Sequence, residues 1–400
     1  MSAPLPRVIF VNRVYQPSQA ATAQLLTDLA ESLAARNWPV LVIAAGEPSG
    51  PLNGVTILRT GPGEQPTGLF SRLVNNWRFI RAARRQLAGL LQPGDIVVLL
   101  SDPPLMAVSL ARTVLTRGAR LLHWIQDIYP EIVTAHAGAW TALPLTPFRV
   151  KRDAAWRSAE MCVTLGEQMA RSVIRRGIPS SQVTLVPNWA PRELQAIVPA
   201  AAVAAQRRQW GLDDKFIVAY SGNLGRVHEF DAVLGAAEIL QSRPDIVLLF
   251  IGTGPRLAGI RAGARKKKLA NLRFLPAEPR ANLAVALTAA DVQLVTLKPA
   301  FAGLVYPSKL AGVLAAGRPV LFVGPPDGEI ARFLRQEACG AAVAPAEAAR
   351  LAETLLRWQA DPGLRLQLQH GARVAYEKHF TLQGAVHQWE AILARTGPTA

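Results

Sequence analysis

Short, strongly apolar runs alternate with longer amphipathic stretches through almost the whole of this 400-residue chain, and the alternation breaks off once and starts again. An apolar run bounded by polar turns reads as a strand buried on both faces, and buried strands separated by helical stretches read as a parallel sheet with crossover helices. Strands are predicted over Arg7–Asn12, Pro39–Ala44, Asp95–Leu100, Arg120–Ile125, Met161–Leu165 and Val183–Pro187. Helices are predicted over Ala20–Arg36, Leu69–Leu91, Leu105–Arg117 and Glu167–Arg176. The second series has strands at Phe216–Tyr220, Ile246–Ile251, Leu272–Leu275, Asp291–Val295 and Pro319–Val323. Its helices are Phe230–Leu240, Pro255–Leu269, Arg280–Ala289 and Ser308–Ala316. Between the series, Pro187, Pro191 and Pro199 precede the alanine run Ala200–Ala205, which makes poor sheet and reads as a linker.

The expectation is therefore α/β, with two doubly wound, Rossmann-like domains: 1–190, a linker over 191–210, and 211–375. A C-terminal helix over 376–400 is expected to pack back on the first domain. Open α/β sheets bind ligands beyond the carboxyl ends of their strands, so two such sheets are expected to face a central cleft that holds the site. Cys162 and Cys339 fit no metal or disulfide spacing and read as buried thiols in a reducing compartment. No signal peptide and no run of about 20 apolar residues is apparent, so a cytoplasmic chain is expected, free or peripheral on the membrane. The net charge of +16 divides into +8 for residues 1–195 and +8 for residues 196–400. It favours anionic partners, whether nucleotides, nucleic acid or acidic lipid, and reads equally as the mark of an arginine-rich proteome.

Two turns carry the first chemical signal. Ser221-Gly222-Asn223-Leu224-Gly225-Arg226 follows a strand and precedes a helix, and Gly252-Thr253-Gly254-Pro255 repeats the arrangement one unit later. Glycines let a backbone approach a phosphate closely, helix-start amides point at it, and an arginine pairs with it bidentately. Alone, each turn reads as well as an ordinary tight turn; together they point to nucleotide binding. Neither closes on the Gly-Lys-Ser/Thr of a P-loop. The first strand leads into Arg13-Val14-Tyr15-Gln16-Pro17-Ser18 rather than a glycine-rich dinucleotide fingerprint.

The order of motifs over nearly the whole chain resembles the retaining glycosyltransferases of family 4, which have the GT-B fold. It is most similar to the bacterial O-antigen and exopolysaccharide branch with its fucosaminyltransferase-like enzymes. The resemblance rests on Val8–Asn12 with Tyr15-Gln16-Pro17, Ser101-Asp102-Pro103-Pro104-Leu105, Gln126-Asp127-Ile128-Tyr129-Pro130-Glu131 and Val186-Pro187-Asn188-Trp189. In the second half it rests on the two glycine turns, Tyr306-Pro307-Ser308-Lys309 and Ala315-Ala316-Gly317-Arg318-Pro319-Val320. It implies a nucleotide-sugar donor, UDP-linked, on the second domain, and a sugar or polyprenyl-linked acceptor on the first. It also implies transfer with retention in cell-surface polysaccharide or glycolipid synthesis.

By this resemblance Arg226 grips the donor diphosphate. The family's following lysine is replaced by Asp231, so Lys309 beside Ser308 becomes the second cation. A solvated helix-start lysine is the plainer reading, although cations are disfavoured at that end of the dipole. The family's paired glutamates fall on Leu304 and Gly312, and no acid occurs between Asp291 and Asp327, so Glu329 is the nearest candidate. A helix-start charge is its plain alternative. The donor set is thus Gly222, Asn223, Gly225, Arg226, Gly252, Gly254, Ser308, Lys309 and Glu329. The acceptor or donor-sugar set is Ser18, Gln126, Asp127 and Glu131.

Asp127, with Arg226 and Lys309, is expected to carry the chemistry, unless it only fixes the turn before Tyr129-Pro130. Ser18 and Thr22 read more simply as helix caps. From Gln65 to Gly94 five arginines (72, 78, 81, 84, 85) and no acid interleave with Leu69, Phe70, Leu73, Val74, Trp77 and Ile80. Such a helix reads as a contact with an anionic membrane surface or as a core helix with a solvated basic face. No Asp-x-Asp and no histidine spacing suggests a metal, so no metal and no cofactor is expected. Two other functions share these features. A sugar-nucleotide epimerase of the same fold would need acids and bases at the sugar. A basic nucleic-acid binder would need an aromatic, zinc or helix-turn-helix signature that the sequence lacks, so no nucleic acid is expected as a partner.

Overall fold

Each apolar run of the first series sits inside a parallel sheet. The computed structural model describes residues 5–47, 50–61, 63 and 68–395. Its chain separates into two units. The first takes the residues up to Pro187, together with Gly303–Tyr306 and the residues from Leu382 onward. The second takes Asn188–Ala302 and Pro307–Thr381.

The first unit begins β1 (Val8–Val11), α1 (Ala21–Ala34), β2 (Val40–Ala44), β3 (Thr56–Arg59), α2 (Leu69–Leu90), β4 (Ile96–Leu99), α3 (Met106–Thr116) and β5 (Arg120–Trp124). It continues with α4 (Glu131–Ala137), α5 (Ala142–Arg157), β6 (Met161–Thr164), α6 (Glu167–Ile174) and β7 (Val183–Leu185). The seven strands lie in the order β3-β2-β1-β4-β5-β6-β7, each pair parallel. β1 and β4 are buried at every position, which is why they show as unbroken apolar runs.

The second unit comprises α7 (Ala200–Trp210), β8 (Phe216–Ser221), α8 (Asp231–Ile239), β9 (Ile246–Ile251), α9 (Leu257–Lys266), β10 (Leu272–Leu275) and α10 (Leu283–Ala289). It continues with β11 (Val292–Thr296), α11 (Lys309–Ala315), β12 (Val320–Val323), α12 (Glu329–Gln336), β13 (Gly340–Val343), α13 (Ala348–Ala360) and α14 (Pro362–His379). Its sheet runs β10-β9-β8-β11-β12-β13, again parallel throughout. Both sheets reverse their winding after the first strand, between β1 and β4 and between β8 and β11. Such reversals leave a crevice at the carboxyl ends of the two strands.

The segment expected as linker is helical from Ala200 onward, because alanine is the best helix former and Pro199 sets the cap. The last helix, α15 (Leu382–Arg395), belongs to the first unit. Its Trp389 is fully buried, edge-on to Trp124 at 5.1 Å and to Phe10 at 6.4 Å between ring centroids. Residues 376–379, expected in this terminal segment, still belong to α14. Trp389→Ala should cost about 3–5 kcal/mol of first-unit stability, the usual penalty for removing a buried aromatic. Urea unfolding followed by the loss of far-UV signal measures it.

Candidate functional site

In the second unit the crevice between β8 and β11 is built by two turns packed backbone against backbone. Gly222 N donates to Ile251 O at 2.8 Å and Leu224 N to Thr253 O at 2.8 Å. A Cβ on Gly252 would collide with the Gly222 carbonyl, and one on Gly254 would lie 2.6 Å from both Asn223 Oδ1 and Leu224 O. Both residues also hold positive φ, +138° and +146°. Close approach of one turn to the other therefore explains these two glycines. Pro255 lies two residues ahead of α9, not at its first position, and α8 begins only at Asp231. The residues from Arg226 to Phe230 form a loop, and the helix expected from Phe230 begins one residue later.

Gly222, at φ +119°, has another neighbour: its Cβ would stand 2.8 Å from Lys309 Cε. The missing side chain is what admits the lysine. Lys309 opens α11, donates from Nζ to Asn223 O at 3.2 Å, and stands 4.7 Å above the Tyr220 ring. Burial pushes its pKa down to about 8. Among the described residues no carboxylate pairs with it.

Beside it lies His228, which had no assigned part in the sequence. Its Nδ1 is 2.7 Å from Thr296 O, at the end of β11. A carbonyl only accepts, so Nδ1 carries the proton and Nε2 of the neutral ring is left as an acceptor. Burial, then the charge of Lys309, pushes its pKa down to about 4. Only its position five residues after Asn223, between the glycine turn and the helix expected from Phe230, could have marked it. Arg226, Asn223 and Gly222 are exposed on the same turn, and Gly225 is buried. Ser308 is exposed just before α11 and makes no capping bond. Glu329 is the first residue of α12, at the carboxyl end of β12.

In the first unit the corresponding crevice is closed by the chain itself. Arg13, after β1, makes two bonds to Asp102, after β4: Nε to Oδ1 at 3.1 Å and Nη2 to Oδ2 at 2.9 Å. One strand further, Gln126 N and Asp127 N both donate to Ser101 Oγ, at 2.9 and 3.3 Å. Ile128 N donates to Leu304 O at 2.9 Å, and Asp127 bridges Val305, in the short segment that belongs to this unit. Burial, then the nearby Asp102 charge, pushes the Asp127 carboxyl up to about 6. It borders a cavity of about 30 Å³ lined also by Ser101, Leu105, His123, Tyr129 and Trp156. That is room for about one water molecule. Leu105 there has φ +63°, a strained value for a branched residue, and it caps α3.

Glu131 is separated from this group by its partners. Arg152 grips both its oxygens at 2.8 Å and Arg176 adds a third bond at 2.9 Å. Burial raises its pKa, but the bonds and charge of Arg152, then Arg176, prevail and bring it to about 2. Arg152 also stacks 4.1 Å from the Trp156 ring and donates to Tyr129 O. That network fixes the loop that carries Asp127. Gln126 is buried. Ser18 does not cap α1: the helix starts at Ala21 with Ala20 at the cap, and Ser18 Oγ accepts from Ala20 N at 3.3 Å. Thr22 is already inside the helix. Among the described residues no three His, Cys, Asp or Glu are grouped to hold a metal ion.

Two parallel-sheet units, each with a reversal of strand order after its first strand, define a class, and family comparison places the chain in it. Residues 21–189 match the glycosyl transferase 4-like domain and residues 203–375 the glycosyl transferases group 1 domain. Domain by domain, the chain belongs to the glycosyl transferases. Over 155 residues it is 33% identical to the putative colanic acid biosynthesis glycosyl transferase WcaI of Escherichia coli K12, covering 38% of each chain. Over 257 residues it is 24% identical to the probable glycosyltransferase WbjE of Pseudomonas aeruginosa, covering 64% of each. The aligned region therefore spans less than two thirds of either relative. The fold is that of Anabaena Alr3699/HepE, solved in complex with UDP, at a TM-score of 0.74 and 13% identity over 97% of this chain and 100% of that one. This two-unit architecture is GT-B.

The packing of the turns is directly testable. Gly252→Ala should lower second-unit stability by roughly 2–4 kcal/mol through collision and strained φ. Gly259→Ala, where a Cβ in α9 meets nothing within 4 Å, should raise it by about 0.5–1 kcal/mol. Denaturant midpoints of the two variants check both signs.

Proposed function

We propose that this protein transfers a sugar from a UDP-sugar to a sugar or polyprenyl-linked acceptor, with retention, in the synthesis of a cell-surface polysaccharide or glycolipid. The observation that carries the reading is Lys309. A lysine pressed against a glycine turn, at a helix start and without an acidic partner, is electrostatically incomplete, and a diphosphate completes it. Arg226, exposed on the same turn, supplies the second cation. Gly222, Asn223, Gly225 and Ser308 line the approach, and Glu329 meets the sugar or ribose hydroxyls. His228, its Nε2 free of the proton, accepts from a donor hydroxyl.

Asp127 on the first unit meets the acceptor hydroxyl. That oxygen bonds to the anomeric carbon as the bond to the β-phosphate oxygen breaks, and the departing phosphate takes the proton. Fixed cations stabilise the leaving diphosphate, so no metal and no cofactor is required. The matches to transferase domains in both halves support this over an epimerase or a nucleic-acid binder.

A membrane-bound acceptor fits α2. Phe70, Leu73 and Trp77 form an exposed stripe at helical spacing, Trp77 being 57% exposed, while Phe79, Ala83 and Leu87 face the core. Arg78, Arg81 and Arg85 are exposed on the same helix, and Arg81 covers the Trp77 ring at 5.2 Å. The side chain of Leu69 lies outside the described residues. Trp140 and Leu143, beside the start of α5, add exposed apolar surface. Among the described residues no helix is long and apolar enough to cross a membrane. We propose that α2 holds the enzyme peripherally on an anionic lipid surface on the cytoplasmic side.

Lys309→Ala and Arg226→Ala should each slow transfer by about two orders of magnitude, and a chelator should not. Asp127→Asn should cut turnover by a similar factor while leaving UDP affinity unchanged. Diphosphate favours charged Lys309, so UDP affinity should fall as pH rises above about 8 in the wild type and not in Lys309→Ala. Calorimetric titration of UDP across pH 7–10 reads this, and a pH-independent affinity sinks the clamp.

The membrane reading is tested by sedimentation with vesicles. Binding to anionic lipid at low salt should be reversed by salt and by the triple Arg78, Arg81, Arg85→Glu variant, with UDP affinity intact. Absence of wild-type binding points instead to a soluble acceptor.

A further inference from the structure

A second cavity lies in the second unit, at the amino end of β12, away from the glycine turns at the carboxyl end of the sheet. Its volume is about 230 Å³, the share of roughly seven or eight water molecules in the liquid. The walls come from Leu194 to Val198, from α10, and from the last turn of α11 up to Arg318. Leu194, Ile197, Val198 and Ala284 make them apolar, and Ile197 is 87% exposed at the rim. The two charged groups on the lining are both cations, Arg318 and Arg373.

Arg318 is the anomaly. Its Nε is buried, and among the described residues the guanidinium has no hydrogen-bond partner. Burial pushes its pKa down. The acid whose charge it feels, Asp291, is already engaged by Arg207 Nη2 at 2.8 Å and by Ile217 N at 2.8 Å. Arg373 is held in place by Ala315 O at 2.9 Å and Gln195 O at 3.4 Å, with Nε on Glu377 at 2.9 Å. A largely buried cation with no hydrogen-bonded counter-charge is destabilising, and an incoming anion restores the balance. Water-filled polar cavities need polar walls on several sides, and these walls are mostly aliphatic.

We propose that this cavity is a second binding site, for an amphiphilic anion: a phosphate or carboxylate head on Arg318 and Arg373 with a short apolar stem along Leu194, Ile197 and Val198. Neither half of the ligand suffices. A bare anion leaves the aliphatic wall wet, and an uncharged alkyl chain leaves Arg318 unmatched. Nothing in the transfer reaction requires this site, since α11 has Lys309 at its first residue and the cavity beyond its last, roughly 10 Å along the helix.

Calorimetric titration of the full chain with hexyl phosphate, inorganic phosphate and hexyl glucoside tests the proposal. The work uses Lys309→Ala protein so that the lysine at the glycine turn takes no part. Hexyl phosphate should bind at one site at least tenfold more tightly than either control. Arg318→Met should weaken it tenfold or more. Ile197→Asp, an exposed change that leaves the fold intact, should weaken hexyl phosphate similarly while leaving inorganic phosphate unchanged. Equal binding of inorganic phosphate or of hexyl glucoside overturns the amphiphile assignment. Hexyl phosphate binding that ignores both substitutions, or no binding at all, overturns the site.

Discussion

Two backbone turns of the second unit meet so closely at Gly222 and Gly252 that a side chain at Gly252 has nowhere to go. The arrangement around Lys309 follows from that contact. It fixes the path of Gly222 to Leu224, and so the position of the Asn223 carbonyl that receives Lys309 Nζ. It also leaves the bare face of Gly222 against which the lysine stem lies. Tyr220, bonded through its hydroxyl to Asn223 O at 2.8 Å, closes the floor beneath the ammonium group. A cation is thus held by sterics and a ring face rather than by an opposing charge, the state in which a lysine is most responsive to an arriving anion.

The two units share one winding and use it differently. Where β1 and β4 part, Arg13 and Asp102 join across the gap; where β8 and β11 part, the groups left are Lys309 and a neutral histidine. The same topological opening is sealed by an internal ion pair in one half and kept electropositive in the other. On the first unit the polar group lies one strand over, at the half-buried Asp127, whose amide and that of Gln126 are tied to Ser101. The Glu131–Arg152–Arg176 network holds the following turn. A carboxylate there is kept less acidic by its surroundings while its neighbour four residues on is kept more acidic.

The winding of both sheets was legible because central parallel strands are apolar at most positions, and β1 and β4 at all of them. Two of the four edge strands were not: Thr56–Arg59 is partly solvated and ends in arginine, and Gly340–Val343 is made of small residues whose burial needs no bulk. The helix Ala142–Arg157 hid behind Pro144 and Pro147; it accommodates Pro144 because its first turn needs no amide donors, while Pro147 sits inside the helix on an exposed position. Lys309 and Asp127 could be singled out from motif order. The meaning of Gly252 and Gly254 could not, since a glycine serving backbone packing and one serving a phosphate look alike in sequence. His228 was invisible because its tautomer depends on a carbonyl 68 residues away.

The first unit is completed by α15, which follows the whole second unit in sequence. Phe10 and Trp124 form one side of a pocket that Trp389 fills, and the whole second unit is encoded between them. On a ribosome elongating at about 5–20 residues per second, Trp124 emerges roughly 10–50 s before its partner. Through that interval the nascent sheet carries an open aromatic seam, the kind of surface that chaperones grip. The order of synthesis thus makes the inserted unit the first one able to close its own core, and the opening unit the last.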